Sequence, residues 1–167
     1  MMLPVDTATL AKRAKAIIRG QVVGQRAIAI SGRVWTDTKI KISDSLKGSL
    51  EANTVIVVRQ PGGETRKLGA KVAGAAQFRV GEEVLLMLRP VGSYWVPLEM
   101  TQGKFQIYRA TDGEQRTRRD FSGVAFATFN IRGQMVLLSD HQLLQAPDAT
   151  LGELLATIQR AISGGGK

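Results

Sequence analysis

Val34-Trp35-Thr36-Asp37-Thr38-Lys39-Ile40-Lys41-Ile42-Ser43 is the stretch that decides the fold class. Val34, Thr36, Thr38, Ile40 and Ile42 alternate with Trp35, Asp37, Lys39, Lys41 and Ser43. A strand sends successive side chains to opposite faces, so this period of two predicts a long β-strand with one buried face. Working outward, Ser31-Gly32 reads as the turn before it, and Ile17 to Val23, continuing through Ala27-Ile28-Ala29-Ile30, as the strand before that. Gly20 suits a bulge or bend there. Asp6 is placed to cap a short helix over 7–16, with Leu10, Ala11 and Ala14 as its apolar stripe.

Downstream, Leu46-Lys47-Gly48 closes the long strand. A third, Val- and Ile-rich strand spans 54–59 and ends at Pro61-Gly62-Gly63. A loop over 64–77 leads to Val84-Leu85-Leu86-Met87-Leu88, an apolar run that suits a strand buried on both faces. After a turn at 90–93, Tyr94-Trp95-Val96-Pro97-Leu98 reads as a short strand with Pro97 at an edge or bulge. Lys104-Phe105-Gln106-Ile107-Tyr108 alternates again. Thr111-Asp112-Gly113 is a hairpin signal, because Asp-Gly tolerates the positive φ angles of a tight turn. A late hairpin is expected from 124–131 and 134–138 around Arg132-Gly133. Thr150 and Glu153 form a capping box for a C-terminal helix with the stripe Leu151, Leu154, Leu155, Ile158, Ala161 and Ile162. Gly164-Gly165-Gly166 stops it.

These elements predict a mainly β chain, a closed or partly open β-barrel with a short N-terminal helix and a C-terminal amphipathic helix packed on it. A length of 167 residues fits one domain, over 5–163, followed by a disordered glycine-rich tail over 164–167. No run of ~18 apolar residues offers a transmembrane helix. Met1-Met2-Leu3-Pro4 lacks the basic and apolar regions of a signal peptide. With no cysteine, disulfides, cysteine zinc sites and thiol nucleophiles are excluded.

The chemistry-bearing residues do not assemble into a catalytic set, and the chain reads as a non-enzyme without cofactor or metal. His141 is the only histidine, too few for a usual transition-metal site. Ser139-Asp140-His141 contains triad residue types, but a triad converges from separate segments, and the plainer reading is a surface turn. Gly62-Gly63 is too short for a phosphate loop. Glu82 and Glu83 are neighbours on a strand and point to opposite faces, so they read as a charged lead-in to the buried strand.

Binding is the remaining class. Lys and Arg number 23 against 14 acids, a net charge of +9, which favours anionic partners. Trp35, Lys39 and Lys41 share one strand face if the alternation holds. Arg116, Arg118 and Arg119 form a second basic cluster. Arg66, Lys67 and Lys71 form a third, in the long loop. Basic side chains beside an aromatic suit single-stranded nucleic acid, where phosphates meet charge and bases stack. The alternative is that Trp35 is covered and the lysines are a solvated face.

Phe78-Arg79-Val80-Gly81-Glu82-Glu83-Val84-Leu85-Leu86-Met87-Leu88, taken with Leu46-Lys47-Gly48, Val58-Arg59-Gln60-Pro61-Gly62-Gly63-Glu64 and Gln102-Gly103-Lys104-Phe105, resembles a group of exported bacterial domains, some of which accompany matrixin-type metalloproteases. The layout is also similar to netrin-like modules and tissue inhibitors of metalloproteinases, which are OB-type barrels. The resemblance covers roughly residues 10–115. It implies a non-catalytic, exported binding or interaction module of the bacterial envelope, periplasmic or secreted, whose partner is another protein or an anionic envelope component. Tissue inhibitors chelate the protease zinc through an N-terminal cysteine; this chain has none, so that mechanism is not implied. The alternative expectation is an OB-type single-stranded nucleic-acid binder using the Trp35 face, which would place it in the cytoplasm.

Overall fold

In the computed structural model, which describes residues 1–138 and 148–164, the alternating stretch is the centre of a 15-residue strand, β2 (Arg33–Lys47). Ser139-Asp140-His141 and residues 165–167 of the glycine tail lie outside the described residues. The strand before it, β1 (Ala16–Ile30), pairs with β2 antiparallel from end to end. Their turn is Ser31-Gly32, with φ of 50° and 76°. Two left-handed residues in succession give the twist that a two-residue hairpin needs.

The later signals become β3 (Val55–Pro61), a small hairpin of β4 (Gly63–Glu64) and β5 (Gly69–Ala70), β6 (Glu83–Val91) and β7 (Tyr94–Pro97). A 3-10 turn, Met100–Gly103, precedes β8 (Lys104–Arg109) and β9 (Gln115–Arg118). The late hairpin is β10 (Ala127–Phe129) and β11 (Met135–Leu137), shorter than the apolar pattern suggested. Helix α1 (Thr7–Arg13) is also shorter than its sequence reading, because Ala14 already has extended backbone and Ala16 is drawn into β1 by pairing with Leu88. Helix α2 (Leu151–Ser163) begins with both hydrogen bonds of the Thr150–Glu153 capping box in place. The 64–77 loop carries the β4–β5 hairpin, which its composition did not announce.

Strands β1, β2, β3, β7 and β6 follow one another around a ring that closes where β6 pairs back onto β1. Every seam is antiparallel except β3 to β7, which meet in parallel through the single pair Val58 and Trp95. β6 forks along its other edge: residues 88–91 pair with β7, and residues 83–86 pair with β8. The sheet therefore leaves the ring at β8 and continues to β9.

This fork is why β6 is apolar throughout. Val84, Leu86 and Leu88 point into the ring beside Ile18, Val22, Ile40, Ile42, Ile56 and Val58. Leu85 and Met87 point the other way, onto a second core made with Ile17, Phe105 and Ile107 and covered by Leu10 of α1 and Leu151, Leu154 and Ile158 of α2. All five β6 side chains are fully buried, each worth about 1.5–3 kcal/mol over exposure.

The Lys47-Gly48 turn ties the two layers together. Lys47 Nζ donates to the carbonyls of Ala11 and Lys12, both at 2.9 Å, satisfying carbonyls that the end of α1 leaves open. Gly48 follows at φ 91°, where a Cβ would lie 2.5 Å from the Lys15 carbonyl oxygen. Gly48→Ala is therefore expected to lower unfolding free energy by about 2 kcal/mol or more. Thr150→Ala, which removes one cap, should cost about 1 kcal/mol. Urea denaturation of the two variants checks both values and their order.

Candidate functional site

The interior of the ring is graded along its length. At one end, aliphatic side chains fill it. At the other, the inward positions of three strands turn polar: Thr36 and Thr38 on β2, Gln60 on β3 and Gln25 on β1. The register puts Thr36 opposite Gln60 and Thr38 opposite Gln25. Gln25, itself exposed, borders the cleft only because β1 is bulged. Val22 pairs with Ile40 but Gly24 with Lys39, so Val23 is an extra residue and every later side chain changes face. Without that bulge Gln25 would lie on the outer face of β1, away from Thr38.

A cleft of about 770 Å³ opens at this polar end, a volume in the range of small-ligand sites. Its far wall is residues 70–78, a run of small residues ending in Phe78. Two glutamines hold that wall. Gln25 Nε2 donates to the Phe78 carbonyl at 2.9 Å and to Thr38 Oγ1 at 3.3 Å. Gln60 Oε1 accepts the Ala76 amide at 3.2 Å. The Ala76 amide can only donate, so the acceptor end of the Gln60 side chain must face it. The donor end is then left over. Gln60 is only 4% exposed, and its Nε2 has no acceptor among the described residues. A buried donor without a partner costs about 1–3 kcal/mol, and this one stands in the wall of the cleft.

The sequence-derived site residues fall on separate surfaces. Trp35, Lys39 and Lys41 do share the outer face of β2. Both lysines are exposed, and Trp35 is half-buried between its neighbours Ile28 and Pro61. Asp37, between Trp35 and Lys39 on that face, is held by a two-pronged contact from Arg59 at 2.6 and 2.8 Å. Arg66 and Lys67 are at the exposed tip of the β4–β5 hairpin, whose Leu68 borders a shallow groove with Trp35, Pro61 and Val72. These two clusters therefore adjoin. Lys71 lines the polar cleft.

The third cluster is elsewhere, and its members diverge. Arg116 folds back onto Asp112 and Glu114 at 3.2 and 3.3 Å. Arg118 lies 4.1 Å over the Tyr108 ring and 3.4 Å from Asp148. Arg119 is tucked between the rings of Phe105 and Phe121, 5.0 Å from each, and burial pushes its pKa down. Arg118 and Arg119 border a second cleft of about 430 Å³ with Gln77, Arg79, Glu82, Lys104, Gln106 and Asp120. Its floor is the Lys104–Glu82 ion pair, at 2.5 Å with side chains 11% and 6% exposed. Glu83, the first residue of β6, is paired with Arg19 instead, so the two adjacent glutamates serve different partners.

Sequence reasoning missed Gln25, Gln60 and Lys104. Thr36 and Thr38 were the available signal, since hydroxyls on the buried face of a strand mark where a core becomes polar. Among the described residues, no group of three or more His, Cys, Asp or Glu side chains could hold a metal ion, and no helix is long and apolar enough to cross a membrane. No protein-family model matches the chain, and no curated protein matches it. Glu82→Gln, which leaves the Lys104 charge buried without its partner, is expected to cost about 3–5 kcal/mol. A double-mutant cycle with Lys104→Met checks this, the double variant recovering much of the loss.

Proposed function

We propose that this chain is a non-catalytic binding module on an OB-type barrel, and that its ligand docks at the polar mouth of the ring. The ring of five strands, its lightly sealed β3–β7 seam and the helices packed against its outside support the barrel reading; OB domains are five-stranded, partly open barrels. The observation that carries the binding reading is Gln60: a buried amide donor without an acceptor among the described residues, in the wall of a cleft lined by hydroxyls, amides, backbone and small apolar side chains, with Lys71 as its one cation. Such a lining suits a neutral ligand that offers hydrogen-bond acceptors, as a peptide segment of a partner protein does. The resemblance to exported bacterial domains supports a location in the bacterial envelope, periplasmic or secreted.

The test uses the Gln60 side-chain amide as its own reporter. On titration of the full chain with N-acetylalanine methylamide, a neutral peptide mimic, its NMR signals should shift together with those of Thr36, Thr38 and Ala76. Gln60→Leu should abolish the shifts at the other three. Shifts confined to residues outside the cleft would overturn the reading. For location, fractionation of native cells should find the protein in the periplasm or medium, and a purely cytoplasmic protein would contradict it.

A second reading rests on the outer face of β2, where Lys39 and Lys41 stand exposed beside Trp35. That face of an OB domain carries single-stranded nucleic acid in known cases. On this reading a short oligothymidine quenches Trp35 fluorescence at low salt, with log affinity falling by roughly 0.7 per log unit of salt for each phosphate neutralised. Lys39→Gln with Lys41→Gln should flatten that slope; a salt-independent interaction, or none at low salt, excludes it.

A further inference from the structure

The second cleft has more positive charge than its own residues use. Four cations border it, Arg79, Lys104, Arg118 and Arg119, against two carboxylates, Glu82 and Asp120. Glu82 is committed. One oxygen takes Lys104, and the other accepts the Arg79 backbone amide at 2.8 Å. Lys104 is committed too: besides Glu82 it donates to the Gln77 carbonyl and lies over the Phe78 ring at 4.8 Å. Asp120 accepts from the Ser122 amide at 2.9 Å and lies near Arg79 and Lys104 without forming an ion pair to either.

Among the described residues, two guanidinium groups are left without a carboxylate. Arg79 is exposed, and neither it nor Arg119 forms an ion pair among the described residues. Arg119 is half-buried, with aromatic rings as its neighbours. Rings attract a cation through their π faces but do not neutralise it. A guanidinium partly withdrawn from water in this way favours a counter-ion, since burying a charge is costly unless it is paired. Arg118 adds a third fork at the rim, held only loosely by Asp148 at 3.4 Å. Guanidinium forks match the oxygens of phosphate geometrically and supply charge-assisted bonds.

We propose that this cleft is an oxyanion site for a tetrahedral dianion, a phosphoryl or sulfate group, held between Arg79 and Arg119 with Arg118 at the rim. Arg79 and Arg119, without an ion pair among the described residues, each offer the dianion a guanidinium fork. The site is separate from the ring mouth, sharing only Gln77 with that cleft, and it stands whether or not the mouth binds a ligand.

The experiment is a thermal-unfolding titration of the full chain with inorganic phosphate, and in parallel with sulfate, acetate and chloride, all at one ionic strength. Phosphate or sulfate should raise Tm saturably, by roughly 5–10 °C at a hundredfold excess over Kd. Acetate and chloride should not. A rise with phosphate alone identifies a phosphoryl ligand, and an equal rise with both a site for either group. Arg79→Gln, an exposed change that leaves the Phe105–Arg119–Phe121 stack intact, should weaken the effect at least tenfold in concentration, and Arg119→Gln should remove it. Equal responses to all four salts, a flat Tm, or an undiminished phosphate response in Arg79→Gln would each overturn the proposal. If Arg119→Gln does not fold, the Arg79 variant and chemical-shift mapping of phosphate onto Arg79, Lys104 and Arg119 decide it.

Discussion

The double burial of β6 is the constraint from which the rest follows. A strand whose five central side chains are all apolar must be covered on both faces. Here the two covers differ in kind. The ring supplies one, with β1, β2, β3 and β7 curling so that Val84, Leu86 and Leu88 face other strands. The helices supply the other, laid over Leu85 and Met87. Because the ring pairs only the later part of β6 with β7, the earlier part is free to pair with β8. That fork creates the wall on which Lys104 and the β8–β9 arginines stand. Both clefts therefore depend on how one strand is shared.

Irregularities in the strands place the polar groups. The bulge at Val23 reverses the facing of β1, so an exposed-looking Gln25 becomes part of the ring mouth. Gln60 extends the inward alternation of Ile56 and Val58 by one more position, where an amide replaces an aliphatic chain. The result is a core that grades from hydrocarbon to hydrogen-bonding groups over a few residues. Its two glutamines position the small-residue wall of 70–78 by single hydrogen bonds.

The charge is less available than its total suggests. Lys47 is spent on closing α1, Arg59 on Asp37, Arg19 on Glu83, Lys104 on Glu82 and Arg116 on its own hairpin. The more exposed of these pairs, such as Arg116 with Asp112, add little stability, but all of them remove cations from the surface field. The cations without an ion pair among the described residues include Lys39 and Lys41 on the outer face of β2 and Arg79 and Arg119 at the second cleft. Net charge alone does not distinguish those places.

Much of the architecture was legible in the residues. Alternation over 34–43, the apolar run at 84–88, Ser31-Gly32, Asp112-Gly113 and the Thr150 capping box are local signals, and local backbone and solvation preferences act on them directly. The grouping of Trp35, Lys39 and Lys41 on one face was equally readable, because it needs only the strand period. The closing of the ring, the fork of β6, the phase change at Val23 and the meeting of Arg79, Lys104 and Arg119 were not. Each joins segments distant in the chain, and one residue of register shift moves a side chain from one face to the other. The sequence by itself determined which segments are strands and which faces are apolar, because period and turn chemistry are carried by neighbours. Which polar groups share a cleft was decided only by the tertiary structure, because strand pairing and bulges choose among registers that local preference leaves equal.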